Sequence, residues 1–210
     1  MRLIMFDMDG TLIDSGFAIT NTINYVRENL GFDRLEKDYI LEKVNEPHLN
    51  SAEFFYGTKE FTQEQTRLFE EYYNEHCLTD LVLYDGISEL ISDLKGDFRL
   101  AVATNANSVY AKKMLDHVGI GEHFSTILGY DSVKNPKPHP EMVNKILNKY
   151  SVENTNAQLI GDSHKDIIAA TKAGVDSVLV NWGFSNHEKD AIETVEELEN
   201  RIYEKFKHSN

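Results

Sequence analysis

Five short apolar runs rich in Val, Ile and Leu recur along the chain, each ending in a polar or glycine-containing turn. They are RLIMF (2–6), FRLAVA (98–103), FSTIL (124–128), AQLI (157–160) and DSVLV (176–180). Continuous apolar runs of this length belong to strands covered on both faces, as in parallel sheets; a strand with one wet face would alternate. Between the later runs lie patterns of helical period: GISELISDLK (86–95), NSVYAKKMLDHVG (107–119), PEMVNKILNKY (140–150) and SHKDIIAATKAG (163–174). Gly119 and Gly174 stand just past the last periodic residues, where helices stop. Pro140 suits a first helical position. The alternation predicts an α/β fold with a doubly wound parallel sheet.

The interval from Gly16 to Leu83 breaks that rhythm. It holds helical patterns at AITNTINYVRENLG, DYILEKV, SAEFFYG and TQEQTRLFEEYYNEHC and no buried strand. The expectation is an all-helical module (16–83) inserted into an α/β core built from 1–15 and 84–210. Glycine at DSG (14–16) and LYDG (83–86) would serve as hinges. The tail DAIETVEELENRIYEKFKH reads as an amphipathic helix on the outside.

With 21 basic against 35 acidic side chains the net charge is −14, a field that repels phosphate backbones and anionic lipid. Nucleic acid and membrane partners are therefore not expected. The single cysteine, Cys77, cannot close an internal disulfide, which suits a reducing compartment. No apolar run reaches the length of a membrane span, and LIMF is too short for a signal-peptide core. A cytoplasmic protein is the expectation.

In parallel α/β sheets ligands bind beyond the carboxyl ends of the strands. After the first strand stand Asp7, Asp9 and Thr11, and after the second Thr104 and Asn105. The third leads into DSVKNPKPHPE with Lys134 and Lys137, and the fourth into GDSHKD with Asp162, Ser163 and Asp166. Asp7, Asp9 and Asp162 supply the hard oxygen ligands that Mg²⁺ prefers. The cation would relieve the repulsion built into FDMDGTLID. Thr104 and Lys137 offer a hydroxyl and a point charge to phosphoryl oxygens, and a carboxylate in line with phosphorus can act as a covalent nucleophile. Singly, each residue reads at least as well as structure. Post-strand aspartates cap turns and helices, Thr104 reads as a turn hydroxyl, and Lys137 reads as a solubilising loop lysine. Their concurrence at strand ends carries the chemical reading.

FDMDGTLID, VATN, KPHPE and GDSHKD resemble the four successive motifs of the haloacid dehalogenase-like hydrolase superfamily, and they occur in family order across the chain. The helical insertion after the first motif resembles the cap of its phosphoglycolate phosphatase-like and β-phosphoglucomutase-like branch. The resemblance implies that Asp7 is the nucleophile, and that Asp9 is the general acid and then the base that activates water. It implies Mg²⁺ on the carboxylates of Asp7 and Asp162 and the backbone carbonyl of Asp9, with Asp166 ligating or ordering its waters. Thr104, Lys137 and the backbone N–H of Asn105 would hold the phosphoryl group. A carboxylate at position 9, where dehalogenases carry tyrosine, is what an alcohol leaving group needs.

The implied activity is Mg²⁺-dependent hydrolysis of a small phosphorylated metabolite through an aspartyl phosphate. A β-phosphoglucomutase-like transferase is the runner-up, and a non-enzymatic phosphate-sensing module is the remote alternative. In the loop KVNEPHLN (43–50), Asn45 and His48 are the candidate substrate contacts; His48 reads equally well as an exposed loop residue. His117, His123, His164 and His187 are scattered and assigned to no metal. Monomer and homodimer both stay open.

Overall fold

The computed structural model describes residues 1–184 and 191–207. A five-stranded sheet forms its centre: β1 (Leu3–Phe6), β4 (Arg99–Ala103), β5 (Thr126–Leu128), β6 (Ala157–Gly161) and β7 (Asp176–Leu179). The spatial order is β5-β4-β1-β6-β7 and every pair is parallel. These are the five apolar runs of the sequence. The order reverses at β1, which places the topological switch point, where such sheets bind ligands, at that strand's carboxyl end.

The period of two along β1 explains why both sheet faces are dry. Ile4 and Phe6 point into a core shared with α5 (Ile87–Leu94), α6 (Ser108–His117) and α9 (Val195–Phe206). Leu3 and Met5 point into the opposite core with α7 (Glu141–Tyr150) and α8 (His164–Ala173). All four are completely buried, and full burial of such side chains contributes roughly 1.5–3 kcal/mol each. The doubly wound α/β arrangement expected from the sequence is the one observed. Pro140 stands one residue before α7, at its N-cap position, not inside its first turn.

Between β1 and α5 run four helices: α1 (Gly16–Asn29), α2 (Lys37–Asn45), α3 (Ser51–Tyr56) and α4 (Gln63–His76). They close a separate apolar core around Ile23, Val26, Ile40, Phe55, Tyr56 and Leu68. Local chemistry sets their ends. Thr62 and Gln65 form a capping box at the start of α4, and Asn50 caps α3. Asn24 holds the α1–α2 connection by exchanging two hydrogen bonds with the backbone of Leu35.

A short antiparallel ribbon, β2 (Ile13–Asp14) with β3 (Val82–Leu83), joins the two chain crossings at the base of the helices. Sequence patterning misses it because two residues per strand carry no period. Among the described residues, no helix is long and apolar enough to cross a membrane.

Candidate active site

The carboxyl ends of β1, β4 and β6 converge on one cluster of polar side chains. Asp7 extends β1 by one rung, its N–H bonding the Ile160 carbonyl at 2.8 Å. Thr104 extends β4 in the same way through Leu128 at 2.9 Å. The ladder therefore fixes where both side chains emerge. Just beyond Asp9 the chain turns at Gly10 with φ +76°, and a Cβ there would run into the Asp162 carboxylate. Gly161 is needed for the same reason: a side chain at the end of β6 would occupy the place of the Asp166 carboxyl.

Lys137 is the hub. Its Nζ lies 2.9 Å from Asp7 Oδ1 and 2.5 Å from Asp166 Oδ1, with the side chain almost entirely out of water. Burial alone would depress the ammonium, yet the charges of Asp166 and Asp7 hold its pKa above that of an ordinary lysine, so Lys137 is a permanent cation. Its backbone is clamped as well. The Asn105 side chain donates to the Lys137 carbonyl at 2.8 Å and accepts the Lys137 N–H at 3.0 Å.

Asp7, Asp162 and Asp166 bring one carboxylate oxygen each to within 4.8 Å of one another. Burial, then the neighbouring Asp7 charge, pushes Asp162 up to about 7. Burial likewise raises Asp166, against the pull of Lys137. Three crowded hard-oxygen donors, with Asp162 and Asp166 held toward the neutral form, fit a divalent cation by donor chemistry and by electrostatics. Asp166 has a structural task too: with Ser163 it forms the capping box of α8, accepting the Ser163 N–H at 3.2 Å.

Asp9 is raised to about 6, chiefly by burial, against the lowering effect of its hydrogen bond from Ser15 Oγ. Thr104 accepts the Ala106 N–H at 3.0 Å, the turn role that the sequence also suggested.

Asn45, at the C-terminal end of α2, reaches the cluster and donates from Nδ2 to Asp162 Oδ2 at 2.9 Å, while its carbonyl accepts from Ser163 Oγ at 3.1 Å. His48 is exposed in the following turn and does not line the cavity over the cluster. Lys134 is exposed as well, and His187 lies outside the described residues.

Four contributors escape motif reading. Ser15 bonds Asp9, the Asn105 side chain clamps Lys137, and the Phe184 N–H donates to Asp162 Oδ2 at 2.9 Å. Lys165 donates from Nζ to the Val44 carbonyl at 2.5 Å. Asn105, named from VATN for its backbone N–H, and Lys165, beside Asp166 in GDSHKD, left a signal in the sequence.

The chain matches the family model for haloacid dehalogenase-like hydrolases over residues 4–180. It belongs to that family of enzymes. Its similarity runs to the phosphoglycolate phosphatases: one from Aquifex aeolicus is 31% identical over 185 residues, covering 88% of this chain and 86% of that protein. One from Colwellia psychrerythraea is 29% identical over 196 residues, covering 88% and 86%. Among solved structures, that of a predicted phosphatase from Clostridium acetobutylicum superposes with a TM-score of 0.87 at 27% identity, covering 97% of this chain and 98% of its own.

Proposed function

We propose that the chain is a Mg²⁺-dependent phosphomonoesterase that works through a phosphorylated Asp7, acts on a small phosphorylated metabolite, and is of the phosphoglycolate phosphatase type. The observation that carries this reading is the Lys137 hub: one buried cation holds the candidate nucleophile Asp7 and the candidate metal ligand Asp166 side by side. The relatives' names support the reaction class.

Asp7, Asp162 and Asp166 would hold the cation with the backbone carbonyl of Asp9, and a bound Mg²⁺ supplies charge neutralisation to the phosphoryl oxygens. The rest is done by the chain's own groups. Asp7 attacks phosphorus; the Met8 N–H, 2.7 Å from Asp7 Oδ1, fixes that carboxylate. Lys137, 2.9 Å from Asp7 Oδ1, stabilises charge on the transferring group. Thr104 accepts from Ala106, which leaves its own hydroxyl proton to be donated to a phosphoryl oxygen. Asp9, lifted toward neutrality by burial, is protonated often enough to give its proton to the leaving alcohol, and once ionised it takes one from the attacking water. Ser15 keeps that carboxylate in place. The helices of residues 16–83 would act as a cap that covers the site and keeps out bulk water.

Purified protein supplied with Mg²⁺ should release phosphate from p-nitrophenyl phosphate, and chelation with EDTA should remove the activity. Undiminished turnover after exhaustive chelation would refute the metal assignment. The mutase reading would require isomerisation of a hexose phosphate to outrun phosphate release.

A further inference from the structure

The cavity above the carboxylate cluster measures about 610 Å³, a size that encloses whole small-molecule ligands and far exceeds a two-carbon alcohol. Its two ends differ in kind. Toward the sheet it is lined by Asp7, Asp9, Thr104, Asn105 and Lys137. The opposite wall presents Ile23, Phe55, Tyr56, Phe69, Tyr73 and Tyr110. The last three are locked together. Phe69 stacks on Tyr73 with centroids 5.3 Å apart, and Tyr110 meets Tyr73 edge-on at 5.1 Å. Phe61 and Tyr130 also line the cavity while leaving 57% and 48% of their surface in water, large apolar side chains that an apolar ligand would cover.

Charge points the same way. Among the described lining residues the cations are Lys137 and Lys165. Lys137 pairs with Asp7 and Asp166, and Lys165 feels the charges of Lys137, Asp166, Asp7 and Asp162 while donating to the Val44 carbonyl of α2, so it stands at the seam between the cluster and the helices. The charged residue on the helical wall is an acid, Glu70. Polar groups on that wall are engaged locally. Gln65 is held in the α4 capping box and by Thr58, and Thr66 donates to the Thr62 carbonyl. A two-carbon leaving group would gain nothing from this wall, a longer one bearing a carboxylate would meet Glu70 and aromatic rings there, and a sugar would face a mostly aromatic surface whose Gln65 and Thr66 are already engaged.

We infer that the pocket selects phosphate monoesters of an uncharged aromatic alcohol and discriminates against hydroxy-acid phosphates such as phosphoglycolate. The inference rests on the phosphomonoesterase reading above. It keeps the phosphomonoesterase reaction but departs from the phosphoglycolate phosphatase type in the leaving group it assigns, with Phe61, Phe69, Tyr110 and Glu70 as the determinants.

Binding and turnover separate the two. In Asp9→Asn protein with Mg²⁺, where chemistry is slowed, calorimetric titration should give 2-phenylethyl phosphate a Kd about tenfold below that of phosphoglycolate or inorganic phosphate. Both esters have alkyl leaving oxygens, so the wild-type kcat/KM ratio should follow the same order. Equal or tighter binding of phosphoglycolate overturns the inference. The binding preference without phosphate release from either ester would uphold the pocket and refute the hydrolytic reading.

Two variants at exposed positions test the wall without threatening the fold. Phe61→Ala should weaken 2-phenylethyl phosphate about threefold and leave phosphoglycolate unchanged. Glu70→Lys should improve phosphoglycolate about fivefold. A ratio that moves with neither variant contradicts the assignment of the wall.

Discussion

The two ends of the cavity are built on opposite principles. At the sheet end the candidate nucleophile and its cation are each held by several contacts. Asp7 is held by a strand rung, by Lys137 and by the Met8 N–H. Lys137 is held by two aspartates and by the Asn105 clamp. At the helical end the lining is mostly apolar and aromatic, set by packing, with Gln65 and Thr66 engaged locally and Glu70 as its charged residue. Chemistry at phosphorus needs donors in place before the transition state forms, whereas recognition of an apolar group needs only shape and area. Changes at the sheet end should therefore strike rate and charge balance, and changes among the helices should strike affinity or stability.

Asp9→Asn probes that contrast most severely. It removes the proposed proton donor without removing a candidate metal carboxylate, so kcat should fall about 10²–10⁴-fold while thermal stabilisation by Mg²⁺ persists. Loss of that stabilisation would move Asp9 into the ligand set through its side chain.

Next comes the electrostatic load of the cluster. Asp9 and Asp162 have folded pKa values of about 6 and about 7, above an ordinary carboxylate. An acid whose pKa is raised by folding binds protons better in the native state, so its stabilising contribution is full below the unfolded value and is lost as pH rises through the folded one. Metal-free protein should lose this contribution between about pH 4 and 7, and the gain in Tm on adding Mg²⁺ should grow over the same window. Asp162→Asn should stabilise the metal-free protein near pH 7.5 by about 1 kcal/mol and abolish the Mg²⁺-dependent gain. A fall in metal-free Tm for that variant would show that the cluster is not under repulsive load.

The smallest effect belongs to the helices. Thr62→Ala removes the α4 cap and should cost about 1 kcal/mol in chemical denaturation, with kcat unaltered. A drop in kcat would erase the division between the two ends.

How much of this could be read from the chain differs in the same way. The sheet end was readable because its residues sit at strand ends in short motifs, and a strand's carboxyl end is where topology sends a side chain toward the ligand. The five strands followed from unbroken apolar runs. The helical wall was not readable. Phe55, Tyr56, Phe69 and Tyr73 look in sequence like core residues of amphipathic helices, and most of their surface is indeed core; their cavity faces appear only once α1, α3 and α4 are packed. Asn105 shows a related gap. The family resemblance implied a backbone contact to phosphate for it, but the bonds between its side chain and Lys137 span 32 residues of chain. The β2–β3 ribbon and the bond from Ser15 to Asp9 depend in the same way on contacts that local pattern does not encode.

The central claim is that Asp7 carries the phosphoryl group during turnover. Acid quench of the protein with Mg²⁺ and excess p-nitrophenyl phosphate, followed by intact-mass and peptide analysis, should show a single acid-stable phosphoryl adduct on residues 1–15, absent from Asp7→Asn, which should also be inactive. Full activity in Asp7→Asn, or an adduct mapped to another residue, would contradict the account.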